Sequence, residues 1–275
     1  MNNVAAERLA ASNLHYFFFP VEYAFEHISG AGYRNLEFFG ATPHFFADSR
    51  CNLDCGRIRR LAADNGLNIC CYHPEAGRHM LCISDNAWRK RSVDLFKRSV
   101  SITAELGARI MAVDVTGAFR DEHRASVEKR LVESLSAVCE RANETGITLA
   151  LAVSALDEPG CVHTLSDVAS IISSVNSSSL KALLRVSRAA ATGETVEQWF
   201  EALGDNIVYV HFTDGRPGGA YVWGEGCLPM EKLLNRFGAA GYCGYLSQFL
   251  DNDTYQDKPF EADTANMRAL SGRGG

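Results

Sequence analysis

Long apolar runs are missing from this chain of 275 residues, and with them any stretch of the ~20 residues that a membrane helix needs. Blocks of basic residues and zinc-finger spacings are missing too. With a net charge of −6 and a pI near 5.8, the balance argues against a nucleic-acid partner. The opening residues, Met1-Asn2-Asn3-Val4-Ala5-Ala6-Glu7, lack the charged and then apolar regions of a signal peptide. A cytoplasmic protein is the expectation. Cysteine is present but carries no pattern: nine residues, at 51, 55, 70, 71, 82, 139, 161, 227 and 243. Cys51 and Cys55 have no second pair at zinc spacing, so reduced thiols are expected. Cys70, Cys71 and Cys243 fall in expected strands, where a free thiol acts as a small hydrophobe. A glycine-rich phosphate fingerprint is absent as well. Phe19-Pro20-Val21-Glu22 stands where a doubly wound nucleotide-binding sheet would carry it.

What is present is a regular alternation. Hydrophobic residues make up 47% of the chain, enough for a sizeable core. Asn13–Phe19 reads as strand one and Val21–Ala31 as the helix after it. Asn35–Gly40 is strand two, and Asp54 caps a helix through Asp64 with Arg57, Arg59 and Arg60 on its outer side. Asn68–Tyr72 is strand three, ending in His73-Pro74-Glu75. Helix Asn86–Leu106, strand Ile110–Val115, helix Asp121–Thr145, strand Ile147–Val153, helix Ser166–Val175 and strand Leu180–Val186 follow. Helix Val196–Leu203, the strand from Ile207, helix Pro229–Ala240, strand Tyr245–Leu250 and helix Pro259–Leu270 complete the series. Caps and glycines stand where those helices should start and stop. Eight strand–helix units without a linker imply a closed parallel barrel. The expected architecture is a single (β/α)8 TIM barrel over residues 1–275 with its core at about 13–271. A doubly wound open sheet is the runner-up.

The stretch Ile207–Asp214 draws the eye to function. It alternates, is rich in β-branched and aromatic residues, and ends in His211 and Asp214 before the turn Gly215-Arg216-Pro217-Gly218-Gly219. Such a strand delivers an imidazole to the carboxyl end of a barrel, where it serves as proton carrier, metal ligand or plain hydrogen-bonding group.

Several stretches together resemble a known family. Gly32-Tyr33-Arg34-Asn35-Leu36-Glu37, Ala104-Glu105-Leu106-Gly107-Ala108, Ala190-Ala191-Thr192-Gly193-Glu194-Thr195, His211-Phe212-Thr213-Asp214-Gly215, Gly224-Glu225-Gly226 and Gly241-Tyr242-Cys243-Gly244-Tyr245 are similar to the xylose-isomerase-like sugar isomerase/epimerase family. The resemblance is strongest to the ketose 3-epimerase branch, which includes the fructoselysine, D-tagatose and D-psicose 3-epimerases. It implies a barrel holding one divalent metal, such as Mn²⁺, Mg²⁺ or Co²⁺, at its mouth. The family's ligands are Glu, Asp, His and Glu at the ends of strands five to eight, and the two Glu residues exchange the proton at C3. Such a cation polarises the sugar oxygens while opposed carboxylates move the proton.

Here the matching positions are Ala152, Arg185, His211 and Phe249, so His211 is the one ligand kept. Arg188 stands where the family has a further His, and Ala220 where it has the His of a Gly-Gly-His segment. Glu158 matches an acid that contacts substrate. The expectation is no inherited metal site and no cofactor. His211 and Glu158 are the candidate catalytic residues. Arg185, Arg188, Glu158 and His73 are the candidate substrate-binding residues, Arg185 having either an internal acid (Asp114 or Glu158) or an external anion as partner. A new metal site at His73, Asp114 and His211 is a weaker alternative to an Asp114–arginine pair. Glu37 is read as a structural hydrogen-bonding group or a catalytic one, and Glu225 as a turn residue or a functional one.

Three functions stay open: a sugar- or anion-binding pseudoenzyme, which is favoured; an active sugar isomerase/epimerase; and an enzyme of altered, metal-independent chemistry. The expected partner is a small sugar, sugar acid or sugar phosphate. The resemblance is consistent with a homo-oligomer.

Overall fold

The computed structural model describes residues 6–45, 55–75, 80–216 and 219–271. Eight parallel strands close on themselves: β1 (Leu9–Ser12), β2 (Asn35–Gly40), β3 (Asn68–Pro74), β4 (Ile110–Val113), β5 (Thr148–Ala152), β6 (Leu180–Arg185), β7 (Ile207–His211) and, after a small hairpin, β10 (Tyr245–Gln248). Each strand pairs with its sequence neighbour, and β10 closes the ring against β1. The expected (β/α)8 barrel is the architecture found. No helix among the described residues is long and apolar enough to cross a membrane.

The helices form where caps and stripes direct them. Helix α4 (Arg124–Thr145) buries Val127, Leu131, Leu135, Val138 and Ala142, a row at helical spacing that faces the barrel. It stops at Gly146, which takes the left-handed φ of 67° that a side chain would disfavour. Helices α5 (Leu165–Val175) and α7 (Val196–Leu203) each open on a capping box, Thr164 with Asp167 and Thr195 with Gln198. That motif satisfies two otherwise unpaired backbone donors at once. Helix α2 is described from Cys55 to Asp64; its expected cap, Asp54, lies outside the described residues, as does Cys51. The eight described cysteines are all free thiols.

Three expectations need correction. Strand one is Leu9–Ser12, and Asn13–Phe19 is the connection beyond it, with a 3-10 turn at Leu14–Tyr16. Small residues won over aromatic ones because the strand lines a narrow axis. Asn13 then spends its side chain on the Phe39 backbone, accepting from its N–H at 2.7 Å and donating to its carbonyl at 3.1 Å. The strand from Ile207 ends at His211. Asp214–Arg216 (β8) pairs antiparallel with Gly219–Tyr221 (β9) in a separate hairpin. Cys243 is exposed and precedes its strand rather than lying in it.

Inside the ring, Ala10, Cys70, Cys71, Ala112, Ala150, Ala152, Leu183 and Tyr209 pack together. A larger cluster lies between strands and helices. The register shifts twice: Leu36 pairs with Ile69 but Glu37 with Cys71, and Ala182 pairs with Ile207 but Leu183 with Tyr209. An extra residue in one strand re-aims the side chains beyond it. The first shift falls immediately before Glu37 on β2, and the second just before Arg185 and His211 at the ends of β6 and β7.

Candidate functional site

The strand ends deliver one continuous polar row. Arg185 Nη2 donates to Asp114 Oδ1 at 2.6 Å, and Asp114 Oδ2 lies 2.9 Å from His73 Nε2. His73 Nδ1 stands 2.8 Å from Glu37 Oε1, which also faces His211 Nε2 at 3.0 Å. Glu37 Oε2 accepts from Ser247 Oγ at 2.5 Å. Glu37, His73 and His211 are buried. The row reaches solvent at its other end, where the Asp114 side chain is 21% exposed and that of Arg185 11%.

Each charge has a cause. Burial works to raise the Glu37 carboxyl, but the His211 and His73 imidazoles overcome it and hold it well below the usual carboxylate range. Burial likewise opposes ionisation of Asp114, and Arg185 with His73 reverses it. Burial pulls the His73 imidazole down, yet Asp114 and Glu37 push it up to about 9. A ring whose two nitrogens each face a carboxylate oxygen carries both protons. His211 goes the other way: burial lowers it, and the charges of Arg185 and His73 help. In the metal-free chain Arg185 and His73 therefore balance Asp114 and Glu37, and a buried row survives because it is neutral and closely bonded, with Arg185 Nε a buried atom in it left without a partner.

Phe249 covers the row. Its ring stacks on His211 at 4.4 Å between centroids with the planes 9° apart, and on His73 at 4.6 Å and 21°. Arg185 lies 5.9 Å from the same ring centroid. Ala152, fully buried, ends β5. The divalent metal that the sequence resemblance implies does not fit the residues matched to its ligands. Ala152 and Phe249 offer no donor atom, and Arg185 brings a positive charge already joined to Asp114. The one retained nitrogen, on His211, faces Glu37.

The sequence candidates thus separate. His73, Arg185 and His211 meet in one row, with Asp114 as the internal partner of Arg185. Arg188 lies at the rim, 3.2 Å from Asp251 Oδ2, and Asp251 Oδ1 accepts from the Ala220 backbone at 3.0 Å. Glu158 is exposed on the loop after β5. Two residues sequence reading undervalued are Glu37 and Ser247. The signal for Glu37 was there: a carboxylate inside the apolar run Asn35–Gly40 has to be met by partners. Ser247 carried no such signal.

Asp214 explains two of the recurring motifs. Its carboxylate accepts from the backbone of Gly215 at 2.8 Å, Leu228 at 2.9 Å, Gly224 at 2.9 Å and Gly226 at 3.1 Å. A Cβ on Gly226 would lie 2.2 Å from Asp214 Oδ1, so this position needs glycine. Glu225, between those glycines, accepts from the Tyr255 hydroxyl at 2.6 Å, which ties the loop down.

Residues 25–269 match the xylose isomerase-like TIM barrel family. The chain belongs to that family. Fructoselysine 3-epimerase of Shigella flexneri is 28% identical over 230 residues, covering 82% of this chain and 83% of that protein. The protein of the same name from Escherichia coli O157:H7 matches at the same identity. Among solved structures, apo 3-keto-D-glucoside 4-epimerase from E. coli superposes with a TM-score of 0.79 at 16% identity, over 95% of this chain and 99% of that one. A D-psicose 3-epimerase determined with D-fructose gives 0.77 at 16% identity, over 96% and 98%. At such identity these structures speak for the fold.

Proposed function

We propose that this family member binds a sugar or sugar-like small molecule at the barrel mouth and has given up metal-assisted epimerisation through the inherited ligand positions. The observation that carries the reading is Phe249 stacked over His211, with Ala152 and the Arg185–Asp114 pair at the neighbouring strand ends. Epimerisation at a carbon beside a carbonyl needs a base on one face and an acid on the other. The positions that supply them in the ketose 3-epimerases here hold a methyl group and a phenyl ring. The fold and the fructoselysine 3-epimerase relatives support a sugar-like ligand.

Solvent-deuterium exchange into fructoselysine, fructose and psicose, followed by NMR with Mn²⁺, Mg²⁺ or Co²⁺ present, tests the loss. No exchange is expected; robust turnover with any of them refutes the reading. Thermal shift against neutral, carboxylated and phosphorylated sugars tests the binding.

One observation favours a second reading, proton chemistry without the inherited metal. The row of carboxylates and imidazoles opens to solvent at Asp114, where a substrate hydroxyl can reach it. Exchange that persists in chelator and disappears in Asp114→Asn supports this alternative.

A further inference from the structure

Each short gap between Glu37 and the two imidazoles has to hold a proton or a metal ion. Glu37 Oε1 is 2.8 Å from His73 Nδ1 and 3.0 Å from His211 Nε2. With neither, lone pairs would face one another where no water can separate them. Protons serve in the metal-free chain. The same three side chains, however, offer ligand atoms that all lie within 4.8 Å of one another, and all three are buried. Two imidazole nitrogens and a carboxylate oxygen are a donor set that zinc and its 3d neighbours accept. Tetrahedral ligands on bonds of about 2.1 Å stand about 3.4 Å apart, so the gaps of 2.8 and 3.0 Å around Glu37 Oε1 widen by a few tenths of an ångström to admit the ion.

The surroundings also resemble a metal's outer shell. The far nitrogen of His73 is held by Asp114 at 2.9 Å, and Asp114 by Arg185 at 2.6 Å. The far oxygen of Glu37 is held by Ser247 at 2.5 Å. Such contacts fix a ligand's tautomer and orientation.

We propose that Glu37, His73 and His211 form a metal site of their own for Zn²⁺ or another late 3d dication. It stands across the barrel from the inherited positions, on β2 and β3 instead of β5, β6 and β10, with His211 common to both. Selectivity over Mg²⁺ and Ca²⁺ follows from the nitrogen ligands, since those hard cations prefer all-oxygen shells. Asp114, one of the ligands weighed from sequence, becomes the outer partner of His73. The ring of Phe249 over both imidazoles closes the site toward the mouth, so the ion's role is to hold β2, β3 and β7 together.

The test uses the full chain, purified without a metal-affinity tag and stripped with chelator. Zn²⁺ is titrated by calorimetry and Co²⁺ by visible absorption. One equivalent of each is expected, with a rise in Tm on Zn²⁺ binding. Glu37→Gln and His73→Gln, checked by circular dichroism, should each bind at least about tenfold more weakly, the scale of losing even an outer partner. Lys258→Ala, in an exposed surface ion pair, should bind like the wild type. X-ray absorption of the Zn²⁺ form should show imidazole and oxygen ligands. Wild type that takes up less than about a tenth of an equivalent, affinity that survives both glutamine substitutions, or a sulfur-ligated ion on Cys70 and Cys71 overturns the proposal. The wild-type titration decides even where a variant fails to fold. Sugar binding can fail without touching this result.

Discussion

The two sides of the barrel mouth differ in chemistry. On the side of β5, β6 and β10, the strand ends hold Ala152, Arg185 and Phe249, the residues that the sequence resemblance matches to the family's carboxylates. On the side of β2, β3 and β4, the strand ends hold Glu37, His73 and Asp114 instead, joined through His211 and Arg185 into one bonded row. The charge lies on one side of His211 and the apolar groups on the other. Read strand by strand, the first side looks like the loss of a site. Read across the barrel, the second side accounts for why the chain tolerates an arginine at the end of β6: Asp114 is there to meet it.

The largest expected effect tests whether the row carries stability that the opposite side does not. Glu37→Ala leaves His73 and His211 facing empty space and Ser247 without its acceptor. Breaking a buried charged pair costs about 3–5 kcal/mol. Ala152→Ser, on the opposite side, introduces one buried hydroxyl and should cost about 1–3 kcal/mol. Denaturant unfolding of both variants measures the contrast. Equal losses would mean the two sides differ in sequence only.

Next in size is a pH dependence, read in chelated protein. His73 sits at about 9 in the folded chain against an unfolded value of about 6.5. Its raised value adds stability that is fully present below about pH 6.5 and is lost as pH rises through about 9. Glu37 and Asp114 are lowered, so their contribution is present at neutral pH and is lost in acid. Unfolding free energy should therefore fall on the alkaline side, and His73→Gln should flatten that limb. A wild-type profile that stays level from pH 6.5 to 9 breaks the assignment of charge to the row.

A reciprocal change sharpens the comparison further. Ala152→Glu, Arg185→Asp, Arg188→His and Phe249→Glu together return the family's residues to the first side. They should raise Mn²⁺ affinity by about tenfold or more, equivalent to about 1.4 kcal/mol. No gain would show that the vacated positions no longer converge.

The barrel itself was legible in the sequence, because strand–helix periodicity and capping residues act locally. Helix α7, for example, was expected at Val196–Leu203, the span observed. Strand one was misplaced because the aromatic run Tyr16–Phe19 has more strand character than Leu9–Ser12, and only barrel closure favours the small residues. The row was half legible. Arg185 requires an acid, and the sequence offers Asp114 as one of two. The Glu37–His73 contact was not legible. The two residues are 36 apart in sequence, with the register shift between β2 and β3 setting which side chains turn inward. Pairing Ser247 with Glu37 depends on ring closure between distant ends of the chain.

The smallest expected effect concerns Arg188, the remaining candidate for an anionic ligand once Arg185 is joined to Asp114. Arg188 and Asp251 are roughly a quarter exposed, at 28% and 27%, and an exposed pair contributes about 0–1 kcal/mol. Arg188→Ala should therefore leave unfolding almost unchanged. Its effect belongs to binding. A phosphate or carboxylate on the sugar competes with Asp251 for the same guanidinium, so the wild type should be stabilised more by sugar phosphates or sugar acids than Arg188→Ala is, while neutral sugars stabilise both alike. Asp251→Asn frees the guanidinium and should strengthen the response to anions in the wild-type direction. If anionic sugars stabilise the wild type no more than Arg188→Ala, the rim pair is structural, and any ligand at this mouth is bound without Arg188.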